Sequence, residues 1–262
     1  MQWIIQDFED TRKLGQVLAE LGRDVSWHKV VPFVGELTPE PVIRNPKSVL
    51  LFGAYSLWKY ADSHGLFPGV FRIAPFLYED VWRPYLLNGS EALVMPLSDC
   101  AVRLTPSERL WFLRPVEDSK EVPGRVLPAA EIVALAQRVA RLSLEELPIG
   151  SLRPDTEIML SAPQAIEAEW RLWIVAGQVV SYSRYKQAGK VAYVQDIPLE
   201  ALAFAQKMVA LNPDYSAAYV IDICQTADGF RIIETNCINA AGFYAADIKA
   251  IVAALEVRFD QG

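Results

Sequence analysis

The chain has 262 residues, 52% of them hydrophobic and 22% charged, with a formal net charge of −7. That length allows one large or two modest domains with real cores, and the acidic balance excludes a general phosphate-backbone binder while leaving room for a local basic pocket. The three cysteines, Cys100, Cys224 and Cys237, have neither framework nor zinc-site spacing, which points to a reducing compartment. Met1–Asp7 lacks a basic leader and a long apolar core, and no apolar run approaches the roughly 18 residues of a membrane span, so a cytoplasmic protein is expected.

Trp3–Gln6 predicts a short buried strand and Phe8–Leu21 a helix, with Leu14, Val17, Leu18 and Leu21 on one face and Gly22 as its stop. Val25–Val31 is a second strand, Pro32–Pro46 a proline-rich loop, and Ser48–Phe52 a third strand running through Gly53–Ser56 into a helix that ends about His64. This alternation predicts a small α/β domain. Gly65–Pro75 is irregular, Glu79–Leu87 reads as a helix interrupted by Pro84, and Ala92–Leu97 as a strand. We place the domain boundary there, giving 1–95 and 96–262.

Leu110–Leu113 predicts a strand that Arg114-Pro115 ends. The following loop holds one glycine, so it is no Walker phosphate loop, yet it brings Arg114 and Lys120 together after a strand; flanking surface charges would look the same. Leu127–Leu142 is a helix with Pro128 in its first turn and Ile132, Leu135, Val139 and Leu142 on one face. Glu157–Leu160 is a short apolar strand, and Ala168–Val175 with Val179–Lys186 forms a hairpin turning at Ala176-Gly177. Pairing Val175 with Gln178 sets Arg171 opposite Tyr182 and Glu169 opposite Arg184, so that Glu169, Arg171, Tyr182, Arg184 and Lys186 share a face. Two readings fit this face: a solvated surface with cross-strand ion pairs, or a ribose and phosphate wall. Ile197–Asn212 predicts a further helix.

Val220–Cys224 and Phe230–Thr235 then form a second hairpin around Ala227-Asp228-Gly229. A three-residue loop ending in Gly pairs Thr226 with Phe230 and sets Asp222 opposite Glu234, with Asn236 on the same face; a one-residue change would part the carboxylates. Facing carboxylates repel unless a cation lies between them. Two carboxylates and an amide oxygen are hard ligands suited to magnesium; solvated surface charge is the plainer alternative. A small-residue loop, Cys237–Gly242, and a helix over Tyr244–Val257 complete the chain.

An Asp on one strand, Glu-x-Asn ending the next and a short loop with Gly and an aromatic resemble the metal end of the ATP-grasp superfamily. The order from residue 110 onward resembles that superfamily over about 150 residues. The resemblance implies an α+β class: an ATP-grasp fold, with two α+β subdomains meeting near 157–162 and clamping ATP, behind a small α/β pre-ATP-grasp domain. It implies ATP and Mg2+ as cofactors, with Asp222, Glu234 and Asn236 on the metal and Arg114, Lys120 and Lys186 (or Arg184) on phosphates. Met159, Leu160 and Ser161 would be the adenine hinge, and Glu169 the ribose contact. Asn239 and Gly242 lie in the loop that would face the acceptor substrate. Many members carry an Arg two residues before the metal-binding Asp; here that position is Val220, and Arg171 would supply the charge on the transferring group. This departure resembles a bacterial and phage-associated clade named for one arginine and two lysines.

The activity implied is ATP-dependent joining of a carboxylate to an amine through an acyl phosphate. Small-molecule or peptide substrates are expected, with no nucleic acid or membrane partner. A nucleotide-binding regulatory module without turnover is the alternative, motivated by Val220. A glycosidase using Asp222 and Glu234 is disfavoured, because directly opposed carboxylates sit closer than the roughly 5 Å or more such enzymes use. His28 and His64 fall in the N-terminal region and read as structural.

Overall fold

Apolar runs of four or five residues separated by amphipathic helices can bury both faces only as a parallel sheet, and the N-terminal region does this. The computed structural model describes residues 1–31, 34–89, 91–117, 122–143, 145–148 and 150–260. It divides into two units, residues 1–76 with 166–262, and residues 77–165.

In the first unit, β1 (Gln2–Gln6) is followed by α1 (Glu9–Glu20), β2 (Asp24–Val30), β3 (Leu37–Thr38), β4 (Val49–Phe52), α2 (Ser56–Ser63) and β5 (Pro68–Gly69). β1 pairs parallel with both β2 and β4, and the sheet order is β3-β2-β1-β4-β5. The proline-rich stretch expected to be only loop thus contributes an edge strand, β3, whose Thr38 pairs with Lys29. His28 bonds to the Pro39 carbonyl and to Ser26, and His64 packs on the Tyr60 ring, so both histidines are structural.

After the second unit the chain returns with β10 (Ala168–Val175), β11 (Gln178–Gln187), β12 (Lys190–Val194), α5 (Leu199–Leu211), β13 (Ala218–Thr226), β14 (Gly229–Cys237) and α6 (Ile248–Phe259). These strands make an antiparallel sheet in the order β12-β11-β10-β13-β14. One core joins both sheets of this unit: Trp3, Ile5, Leu50 and Phe52 of the first pack with Trp173, Val175, Ala218 and Val220 of the second and with Ile251, Val252 and Leu255 of α6. The Trp3 indole donates to Glu256 at 3.2 Å, closing the same contact at its polar margin.

In the second unit, β6 (Leu93–Pro96), α3 (Cys100–Arg103), β7 (Leu110–Pro115), β8 (Arg125–Pro128), α4 (Ala129–Arg141) and β9 (Glu157–Ser161) build a four-stranded antiparallel sheet, ordered β6-β9-β7-β8, under α4. Its core holds Leu113, Ile132, Val133, Ala136, Ile158 and Leu160. The helix expected over Glu79–Leu87 does not form. Two short 3-10 turns, Phe76–Tyr78 and Arg83–Tyr85, stand there, because Pro84 has no N–H to give and its ring blocks a continuous helix. Leu127 and Pro128, expected to open the following helix, instead end β8, and α4 starts at Ala129. All three cysteines are buried and free. No helix among the described residues is long and apolar enough to cross a membrane.

Candidate functional site

The β13–β14 hairpin sets the site's geometry, and it reaches the expected pairing by another route. The turn is two residues, Ala227-Asp228, so that Thr226 pairs with Gly229 rather than Phe230. Gly229 takes φ +102, a conformation that side chains resist. The Thr226 hydroxyl donates to the Gly229 carbonyl at 3.0 Å and accepts from Asp228 N–H at 3.2 Å. Continued without interruption, this register would set Ile233 opposite Asp222. A β-bulge between the Ile223 and Asp222 pairings absorbs Ile233 and brings Glu234 opposite Asp222. Bulges re-aim side chains in this way beside functional sites.

The cation against Asp222 comes from the neighbouring strand. Arg171 on β10 pairs with Asp222 on β13 across the ladder. Its Nε donates to Oδ1 at 2.9 Å and its Nη2 to Oδ2 at 2.7 Å, with both residues at or below 5% exposure. Nη1 donates to the Gly242 carbonyl at 3.3 Å, and the guanidinium lies 4.8 Å from the Tyr244 ring centre and 6.0 Å from that of Tyr185. Burial alone would lower the Arg171 pKa, but the Asp222 charge and its hydrogen bonds reverse this and hold the guanidinium above its ordinary value. Tyr244 is itself in the left-handed region, φ +49, and stacks between Tyr185 at 5.2 Å and Tyr193 at 4.9 Å. Ser183 and Ser181 accept from the backbone N–H groups of Ala245 and Asp247, which fixes the loop that carries Gly242 and Tyr244.

Asn236 completes the cluster. Its Nδ2 donates to Glu234 Oε1 at 3.3 Å and to Asp222 Oδ2 at 3.4 Å, while its Oδ1 is buried with no hydrogen-bond partner. Such an orphan costs about 1–3 kcal/mol where nothing satisfies it. No group of three or more His, Cys, Asp or Glu suited to a metal exists among the described residues. The donor set here is instead two carboxylates and an amide, and it includes an unsatisfied oxygen. These hard oxygen donors fit a magnesium ion.

The β10–β11 hairpin corrects the expected charged face. Val175 does pair with Gln178, but bulges after Trp173 and Glu169 move the register, so Arg171 meets Ser183, and Glu169 meets Lys186. Tyr182 and Arg184 lie opposite Leu172 and Trp170, on the other face of the sheet. There Arg184 bonds to Asp196 at 3.0 Å and to Gln187. The face that carries Arg171 therefore holds Glu169, Lys186, Tyr185, Ser181 and Ser183. Lys186 Nζ lies 3.0 Å from Glu169 Oε1, and Tyr185 is hydrogen-bonded to the same carboxylate; burial first, then the Asp222 and Glu169 charges, raise its pKa well above the ordinary value. Tyr185 and the two serines escaped the sequence reading because a bulge leaves no trace in residue type.

Two loop residues have roles other than those expected. Asn239 is 1% exposed, and its amide is spent on backbone: Nδ2 donates to Leu51 O at 2.6 Å and Oδ1 accepts from Phe71 N–H at 2.8 Å. Instead of facing open space it ties the loop to the N-terminal sheet. Gly242 offers its carbonyl to Arg171. Val220 is fully buried in the shared core.

In the second unit, Arg114 on β7 stands opposite Met159 on β9, with Phe112 opposite Ser161 and Leu113 opposite Leu160. Arg114 Nε donates to the Pro115 carbonyl at 3.2 Å. Met159 and Leu160 are fully buried, and the Ser161 hydroxyl is buried without a hydrogen-bond partner. Lys120 lies outside the described residues.

Among curated protein sequences no relative matches the chain. The fold has solved counterparts. A RimK-domain ATP-grasp protein from Sphaerobacter thermophilus superposes with TM-score 0.63 at 14% identity, covering 100% of both chains. The D-cycloserine synthetase DcsG gives 0.59 at 14% identity, covering 99% of this chain and 100% of that one. D-alanine–D-alanine ligase from Bacillus anthracis gives 0.59 at 10% identity, covering 97% and 92%. At these identities the likeness is one of fold, and it makes this an α+β ATP-grasp fold. A family model for an ATP-grasp domain matches residues 74–255, well over half the chain; it describes family 3 of the clade whose name abbreviates one arginine and two lysines. The protein therefore belongs to the ATP-grasp domain family, in family 3 of that clade.

Proposed function

We propose that the chain is an ATP-dependent carboxylate–amine ligase working through an acyl phosphate, on small-molecule or peptide substrates. One observation carries this reading: Asp222 and Glu234 are held face to face, with the buried, unsatisfied Asn236 oxygen beside them, on the surface that also presents Glu169 and Lys186. Three of the fold's solved counterparts are named as synthetases or ligases: a D-cycloserine synthetase, a D-alanine–D-alanine ligase and an ATP-grasp ligase complexed with a minimal precursor.

In the proposed reaction a substrate carboxylate oxygen attacks the terminal phosphorus of ATP, and the bond to ADP breaks. An amine then attacks the acyl carbon, and inorganic phosphate leaves. Positioning and charge neutralisation carry such transfers. A magnesium ion bound by the Asp222–Glu234–Asn236 end would supply charge neutralisation at the phosphates. Lys186, set by Glu169, is the phosphate-side cation of this face, and Glu169 the ribose contact. Arg114 and Lys120 as phosphate contacts, and Met159–Ser161 as the adenine hinge, rest on the family resemblance. No protein nucleophile is needed, in keeping with cysteines buried out of reach.

A second reading, nucleotide binding without turnover, draws on the commitment of Arg171 to Asp222 and on the burial of Val220. ADP release separates the two. Thermal unfolding with Mg-ATP comes first: at about a hundredfold over the dissociation constant, binding adds about 2.7 kcal/mol, a shift of about 5–10 °C for a chain of this size. Loss of that shift in the Asp222→Asn/Glu234→Gln double variant, together with ADP release on adding carboxylate and amine mixtures, supports the ligase. A shift without ADP release across broad acceptor mixtures favours the binding module, and no shift with ATP, ADP or GTP removes both.

A further inference from the structure

We infer that Arg171 acts as a built-in cation for Asp222, so that a single divalent metal, held by Glu234 and Asn236, accompanies the nucleotide. The inference rests on the nucleotide reading above and divides the labour within that site.

Phosphoryl-transfer sites commonly neutralise their charge with one or two divalent ions. Here one of the two facing carboxylates already has a counter-ion. Both Asp222 oxygens accept from Arg171, in the fork geometry that gives the strongest carboxylate contact. The guanidinium has no slack to swing toward a phosphate: its third nitrogen is bonded to Gly242 O, and the Tyr244 ring covers it at 4.8 Å. The serines that hold residues 245 and 247 lock that cover in place. A guanidinium also stays charged at any pH the protein meets. Beside this closed pair stands an unsatisfied oxygen, Asn236 Oδ1. A half-turn of the terminal amide exchanges Nδ2 for Oδ1, converting Asn236 from a donor toward Glu234 Oε1 into an oxygen ligand alongside it. That exchange leaves both Arg171–Asp222 hydrogen bonds in place.

The test counts metal directly, using manganese as the probe and electron paramagnetic resonance to read free Mn2+. Full-length protein saturated with a non-hydrolysable ATP analogue should bind one Mn2+ per chain. The paired substitution Arg171→Met/Asp222→Asn removes both charges of the closed pair, and should keep one Mn2+ with affinity within threefold of wild type. Glu234→Gln should weaken Mn2+ at least tenfold. Two Mn2+ per wild-type chain, a tenfold loss in the folded paired variant, or unchanged binding in Glu234→Gln would each overturn the inference. Circular dichroism checks the paired variant, and if it does not fold the wild-type count decides alone. Failure of the nucleotide reading shows separately, as absence of any analogue-induced thermal shift in the wild type.

Discussion

Arg171 and Asp222 are both essentially out of water, and charges so placed survive only as partners. Breaking such a pair strands the remaining charge, at a cost of about 3–5 kcal/mol, whereas replacing both by neutral groups of similar size is far milder. Arg171→Ala should therefore lose about 3–5 kcal/mol in urea unfolding, and Arg171→Met/Asp222→Asn much less. Equal losses in both variants would show that packing, rather than charge, holds the position. This pair was only half legible in the sequence. Arg171 drew notice as a charge amid apolar residues, but its partner lies 51 residues on. Only the β10–β13 pairing brings them together, and no local pattern encodes which distant strand a strand will choose. Asn239 misled for the opposite reason: a polar residue in a small-residue loop reads as exposed, and the backbone groups of Leu51 and Phe71 that consume it are remote in sequence.

At the scale of elements, strand positions follow from β-branched and aromatic runs, and the strands of both hairpins fall where those runs predict them. Register does not follow, because a bulge adds a residue without altering composition. In β13–β14 a shorter turn and a bulge offset each other, so Asp222 and Glu234 face one another although the loop differs from expectation. In β10–β11 two bulges went unseen and sent Arg184 to the other face. The β13–β14 turn depends on Gly229 at φ +102, with open space around the position where a Cβ would sit. Gly229→Ala should thus cost about 1–2 kcal/mol through backbone strain alone, measured as a lower urea midpoint at unchanged slope. A changed slope would instead mean that the hairpin had shifted register.

At the scale of the whole molecule, the family match begins at residue 74, while the first compact unit draws on residues both before and after that point. Sequence patterns mark elements in succession, but a core assembled from both ends of a chain has no such mark. α6 shows the consequence. It buries Ile248, Ile251, Val252, Leu255 and Phe259 in the core that also holds Trp3 and Phe52. At about 1.5–3 kcal/mol each, these five side chains rival the roughly 5–15 kcal/mol that holds a typical domain together. A chain ending at Asp247 should accordingly show no cooperative melting transition in calorimetry. A retained transition would mean that the N-terminal sheet closes its core without the helix.

The contact between Trp3 and Glu256 spans 253 residues. On a ribosome adding roughly 5–20 residues per second, β1 would wait about 13–50 s for its helix. Throughout that interval Trp3, Ile5, Leu50 and Phe52 have one side of their sheet uncovered. The nascent protein is thus a natural client for chaperones that shield apolar surface, and its yield in the cell should depend on their supply more than its finished stability suggests.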